Sequence, residues 1–202
     1  MKTLLSVLLL IFATSTVVSA QSEKSAAKTP APTLSTVLDH SLSNLENDVV
    51  PAADAMGEDK FDFAPSNGDL KGSEFKGVRT FAQQVKHIAA TNYQIGGALL
   101  GEKPPVEVGD PNGPDNGPDS LKTKAEIVDY LKNSFAYSHK ALATINQKNI
   151  VEQVQSPFGP NKASRLGLAI VTLSHTNDHY GQMVEYLRMN GIIPPASRPP
   201  QK

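Results

Sequence analysis

His175 and His179 stand four residues apart in the string HTNDHYGQ. On a helix, positions i and i+4 project from one face one turn apart, a spacing that lets two imidazoles grip a single metal ion. The Glu that a metalloprotease places directly after its first histidine is absent, because Thr176 stands there. Chance puts two surface histidines at this spacing too, so the pair needs a third donor to become a site. The candidate is His87 in FAQQVKHIAATNY, with Gln84 and Thr91 at one-turn steps on either side. It lies off the apolar stripe of its own segment, as an ordinary surface histidine does, and counts only if the two segments are neighbours. His40, beside Asp39, and His139, between Ser138 and Lys140, have no partner at helical spacing and read as surface or core-edge residues. Metal-bound histidines need an outer acceptor to orient them. Gln84, Thr91, Asp178 and Gln182 are the nearest polar residues for that task or for holding a substrate. No residue stands out as a nucleophile or general base.

Four helical segments must carry these side chains. The first is expected from Leu34 to Met56, where Leu34, Val37, Leu38, Leu42, Leu45 and Val49 recur at three- and four-residue steps; Pro51 disturbs its last turns. Residues 57–75 carry Gly, Pro and Asn-Gly and predict an ordered loop pinned by Phe61 and Phe63. A second helix follows from about Phe75 to Leu100 along Val78, Phe81, Val85, Ile88, Ile95 and Leu99. The third opens at Ser120, with Thr123 and Glu126 offering a second capping box, and runs through Ile127, Leu131, Phe135, Leu142 and Ile145. The fourth spans about Asn161 to Asn190, closed by Gly191 in a left-handed cap and blocked by Pro194-Pro195. No run alternates apolar and polar residues, so no strand is expected. The fold class is all-α: a four-helix bundle with long connections.

On a wheel of about 100° per residue, Leu166, Ile170, Leu173, Tyr180, Val184 and Leu187 form one seam of the fourth helix. His175 and His179 fall roughly 200–240° from Leu173, on a side shared with Leu168, Gln182 and Tyr186. The seam is expected to face the bundle, and the histidine side a cleft or a partner subunit.

Residues 101–120 hold five prolines, four glycines and three aspartates, which forbids a helix or central strand there. The aspartates raise a calcium reading, but EF-hand spacing and its closing Glu are missing. Loops this long inside a compact domain are usually functional or mobile.

The whole chain of 202 residues balances 19 Lys and Arg against 20 Asp and Glu and has no cysteine. Without basic clusters, nucleic acid is not an expected partner. Without cysteine, there are no disulfides, thiolate metal sites or thiol nucleophiles. Met1-Lys2-Thr3, the apolar run Leu4 to Val18 and the small-residue ending Val18-Ser19-Ala20 read as a signal peptide over 1–20. Residues 21–33 read as a flexible tether, 34–197 as the bundle and 198–202 as a tail. The expected location is outside the cytoplasm, in a bacterial periplasm or secreted, with no stable membrane insertion once the signal is removed.

The closing string HTNDHYGQMVEYLRMNGIIPPAS resembles the last helix of DinB-like metal-dependent proteins, with its His-x-x-x-His pair, Gly-Gln and apolar-Tyr-Leu-Arg stretch. FAQQVKHIAATNY resembles the segment that gives that family its third histidine, and FDFAPSNGD its approach to that helix. The resemblance implies an up-down-down-up bundle, often dimeric, so a homodimer is expected. It also implies a divalent ion, zinc or nickel, on His87, His175 and His179. Relatives transfer low-molecular-weight thiols or isomerise maleylpyruvate with a thiol cofactor; this chain departs from their cytoplasmic habit by its export signal. Three imidazoles leave a coordination position open, as catalytic zinc sites do. Three functions stand side by side: a metal-dependent transferase or hydrolase acting on an unknown small molecule, a non-catalytic metal-binding or stress-associated protein, and a dimeric interaction module without metal.

Overall fold

Three threonines and one serine set where the helices begin. Thr33, Thr80, Thr123 and Ser164 each sit in extended backbone and accept a hydrogen bond from an amide three residues on, satisfying one of the four orphan donors of a first helical turn. Thr36, Gln83 and Glu126 return a bond to the cap at the first three, completing capping boxes. The computed structural model describes residues 31–65, 75–110 and 112–199. Within them lie α1 (Leu34–Ala55), α2 (Phe81–Leu100), α3 (Lys124–Leu142) and α4 (Arg165–Met189), with single 3-10 turns at Glu58–Lys60 and Pro195–Ser197. The expected signal peptide at 1–20, the tether up to residue 30 and the tail from residue 200 fall outside the described residues.

The caps correct three expected boundaries. The second helix starts at Phe81 rather than Phe75, and Val78 precedes it. The third starts at Lys124, using the Thr123 box and not Ser120. The fourth starts at Arg165 rather than Asn161. Just before it, β1 (Gln153–Gln155) pairs antiparallel with β2 (Lys162–Ser164). Three-residue strands are too short to show alternation, so this hairpin left no pattern in the sequence. α1 continues through Pro51 as one helix. Gly191 (φ 72°) closes α4: its amide bonds Arg188 O and that of Ile192 bonds Leu187 O, the paired bonds of a Schellman cap.

Each helix packs on two others, α1 and α2 being diagonal, as are α3 and α4. Their directions follow from side-chain pairs. Along α2 and α3 the partners rise together, Tyr93 with Tyr130 and Gly96 with Tyr137, so those two are parallel. Gln84 meets His179 while Leu99 meets Arg165, so α2 and α4 are antiparallel. Asp39 meets His139 while Met56 meets Lys124, so α1 and α3 are antiparallel too. The result is the up-down-down-up order. Phe81, Phe135, Leu42, Met56, Leu131 and Met183 fill its fully buried centre, each contributing about 1.5–3 kcal/mol by leaving water. The loop after α1 is pinned as expected: Phe61 stacks edge-on against Phe81, and Phe61 and Phe63 carbonyls accept the amides of Ala82 and Phe81. Residues 66–74 of that loop are outside the described residues. No described helix is long and apolar enough to cross a membrane.

Candidate metal centre

The antiparallel contact of α2 and α4 brings His87 opposite His175 and His179. Ring centroids lie 4.7 Å (His87–His175), 4.6 Å (His87–His179) and 4.4 Å (His175–His179) apart. One nitrogen from each ring falls within 4.8 Å of the other two. Nitrogens about 2.0–2.1 Å from a tetrahedral zinc lie roughly 3.3 Å from each other, so the rings need only small shifts to share an ion. His87 and His179 are each only 6% exposed.

The wheel reading of α4 holds in part: of the expected seam Leu187 is fully buried and Leu173 and Tyr180 pack on the core, but the histidine side lies inside as well. Leu168, Ala169, Thr172, Thr176, His179, Met183, Tyr186 and Leu187 are its buried residues, whereas Ile170, expected to face the bundle, is 53% exposed. The histidine side thus packs inside the bundle, against α2. The histidine side was misread because it is made partly of Thr and His, which carry little hydrophobic signal.

The nitrogens sort themselves. His179 Nδ1 lies 2.7 Å from Gln84 Oε1; an amide oxygen only accepts, so Nδ1 carries the proton and the Nε2 lone pair is free for an ion. Gln84 Nε2 donates to Gln182 Oε1 at 2.7 Å, and Gln182 Nε2 donates to Asp178 Oδ2 at 3.1 Å. A chain of amides therefore runs from the buried ring to an exposed carboxylate, joining three of the four expected polar residues. Thr91, the fourth, is buried one turn from His87, yet among the described residues no hydrogen bond joins it to the imidazoles. The Nε2 atoms of His87 and His175 are 2.9 Å apart, so at most one bears a proton. His87 Nδ1 and His175 Nδ1 are buried without hydrogen bonds. The close Nε2 atoms of His87 and His175, with the free Nε2 of His179, make a donor set that a cation at the centre would share, and the residues fit one.

Burial lowers the pKa of all three histidines. His175 falls to about 4, with the neighbouring His87 and Arg79 pushing the same way, and His179 to about 3, with His175, His87 and Arg79 adding to the effect. For His87, burial and Arg79 lower it while Asp115 opposes. At neutral pH the rings are uncharged, the form that binds metal.

Asp115 is the residue that sequence reasoning missed. It comes from the Pro/Gly-rich connection and places Oδ2 3.4 Å from His87 Nδ1. Nothing local links it to a histidine 28 positions earlier; the acidic content of that segment was the only cue.

The sequence matches the family described as the DinB superfamily over residues 41–183, a span that contains all three histidines. The chain belongs to the DinB superfamily. No curated protein matches it significantly. Membership agrees with the bundle and with a histidine cluster that could hold a metal ion.

Proposed function

We propose that this DinB-superfamily protein is exported, to a periplasm or beyond the cell, and binds one divalent ion, zinc or nickel, through His87, His175 and His179. The convergence of three uncharged, largely buried imidazoles from two helices carries the reading. A structural role is better served by a closed set of four ligands, whereas three protein ligands leave a position for a small molecule. An ion held there supplies Lewis acidity, which suits a transferase or hydrolase. The chain's own part is to hold the rings neutral, fix the proton of His179 on Nδ1 and exclude water from one side of the cluster. The same triad also serves a protein that only stores or senses the ion.

Metal analysis tests the reading. Stripped protein equilibrated with zinc or nickel is expected to hold about one ion per chain, and the His175→Ala/His179→Ala double variant none. Equal loading of the two proteins would falsify it. Fractionation of cells expressing the full chain, with N-terminal sequencing of the product, checks export: a start near Gln21 is expected. A small-molecule screen with the metal-loaded and stripped forms then separates enzyme from ion holder.

A further inference from the structure

We infer that Asp115 is a positioning residue of the metal centre, its carboxylate accepting a hydrogen bond from His87 Nδ1–H and thereby coupling ion binding to the docking of residues 115–118 on α2. The inference rests on the metal reading above. A ring that gives Nε2 to an ion keeps its proton on Nδ1 and needs an acceptor for it. His179 already has one in Gln84. The corresponding nitrogen of His87 is buried, makes no hydrogen bond, and has the Asp115 carboxylate 3.4 Å away. A small approach completes the pair.

The segment is built to deliver that carboxylate. Arg79, just before α2, donates from Nε to Asn116 Oδ1 at 3.0 Å and from its guanidinium to Asp115 O at 3.3 Å. Lys86, next to His87, donates to Pro118 O at 2.9 Å. Gly117 lies flat on α2: a Cβ there would stand 2.7 Å from Lys86 Cβ and 2.9 Å from Lys86 O, and its φ is +75°. Asp115 itself has φ +53°, alone among described non-glycine residues in that region, a conformation that costs energy and persists where surroundings impose it. Arg79 also accepts the Tyr186 hydroxyl from α4 through its carbonyl, so the anchor of the segment touches both metal-bearing helices.

Zinc competition against a chromophoric chelator and hydrogen exchange, both on the full chain, provide the test. Asp115→Ala is expected to weaken zinc about 10–100-fold, the usual range for an outer partner of a ligand histidine. Asp115→Asn, which keeps an acceptor oxygen, loses less. Gly117→Ala lifts the segment without touching the carboxylate and weakens zinc as well. Zinc slows amide exchange at residues 115–117 of the unsubstituted protein but not of Asp115→Ala, a readout that a merely structural role would not move. Zinc affinity within twofold of the unsubstituted chain, or unchanged zinc protection of the segment in Asp115→Ala, overturns the inference and leaves the metal reading standing. An unsubstituted chain that takes up no zinc or nickel overturns that reading itself.

Discussion

His139 and the His87/His175/His179 cluster show one side chain in two opposite settings. His139, on α3, has Asp39 Oδ1 2.6 Å from Nδ1 and Glu46 Oε2 3.1 Å from Nε2, both carboxylates reaching across from α1. Each nitrogen of this ring faces a carboxylate oxygen, which can only accept when ionised. The cluster has three rings turned on one another, a guanidinium nearby and one carboxylate at its margin. The first setting surrounds a ring with acceptors; the second turns ring on ring and leaves lone pairs converging. Residue type alone is therefore a poor guide to metal binding. What matters is whether the neighbours are acceptors or other imidazoles.

The largest expected effect separates the two settings outright. His179→Ala removes one of the three proposed ligands and should weaken zinc by more than about a hundredfold, since loss of an outer partner alone reaches that size. His139→Ala should leave zinc affinity unchanged. Competition titrations on both variants check this, and a matched loss would dissolve the contrast. Gln84→Ala comes next. It removes the acceptor that fixes the His179 proton and strands a buried donor, so zinc should weaken about 10–100-fold. The metal-free protein should lose about 1–3 kcal/mol, read by urea unfolding.

Acid sharpens the comparison in the metal-free protein. His175 and His179 have an ordinary pKa of 6.5 and folded values of about 4 and 3. Between those values the unfolded chain binds more protons than the folded one, so stability rises with pH through the window. The neutral arrangement is at full strength above about pH 6.5 and is lost as pH falls through 4 and then 3. The melting temperature of stripped protein should therefore drop over that interval. A His175→Leu/His179→Leu variant should show a flatter drop. An equally steep one would mean that the acid sensitivity originates elsewhere.

Much of this was legible from residue order, for physical reasons that can be named. α1 and α2 carry apolar residues at helical steps, and Thr123 with Glu126 is a complete local cap signal. Gly191 before Pro194-Pro195 marks an ending that few other residues allow. The triad was legible only as a conditional, since whether α2 and α4 touch is a tertiary fact. The seam of α4 does meet the bundle through Leu173, Tyr180 and Leu187, but its histidine side was misjudged because Thr172, Thr176 and His179 line it, and Ile170 points to water. Three contacts had no local signal. Asp115 reaches His87 across a loop, and His139 finds Asp39 and Glu46 at separations of 100 and 93 residues.

The smallest effect concerns His139 alone. Its ring is 23% exposed, with Asp39 at 54% and Glu46 at 35%, so water screens both pairs. When the ring is protonated these are exposed ion pairs, which contribute about 0.2–1 kcal/mol each. Replacing His139 by Ala should cost about 1 kcal/mol, through loss of the pairs and of a bridge between α1 and α3. Salt distinguishes this from lost packing: the Debye length shrinks from about 10 Å at 0.1 M to 3 Å at 1 M. The stability gap between His139→Ala and the unsubstituted protein should therefore narrow in 1 M sodium chloride, while the zinc-affinity gap caused by His179→Ala should persist. If salt leaves the first gap intact, His139 stabilises the bundle by shape and not by charge, and the electrostatic half of the contrast fails.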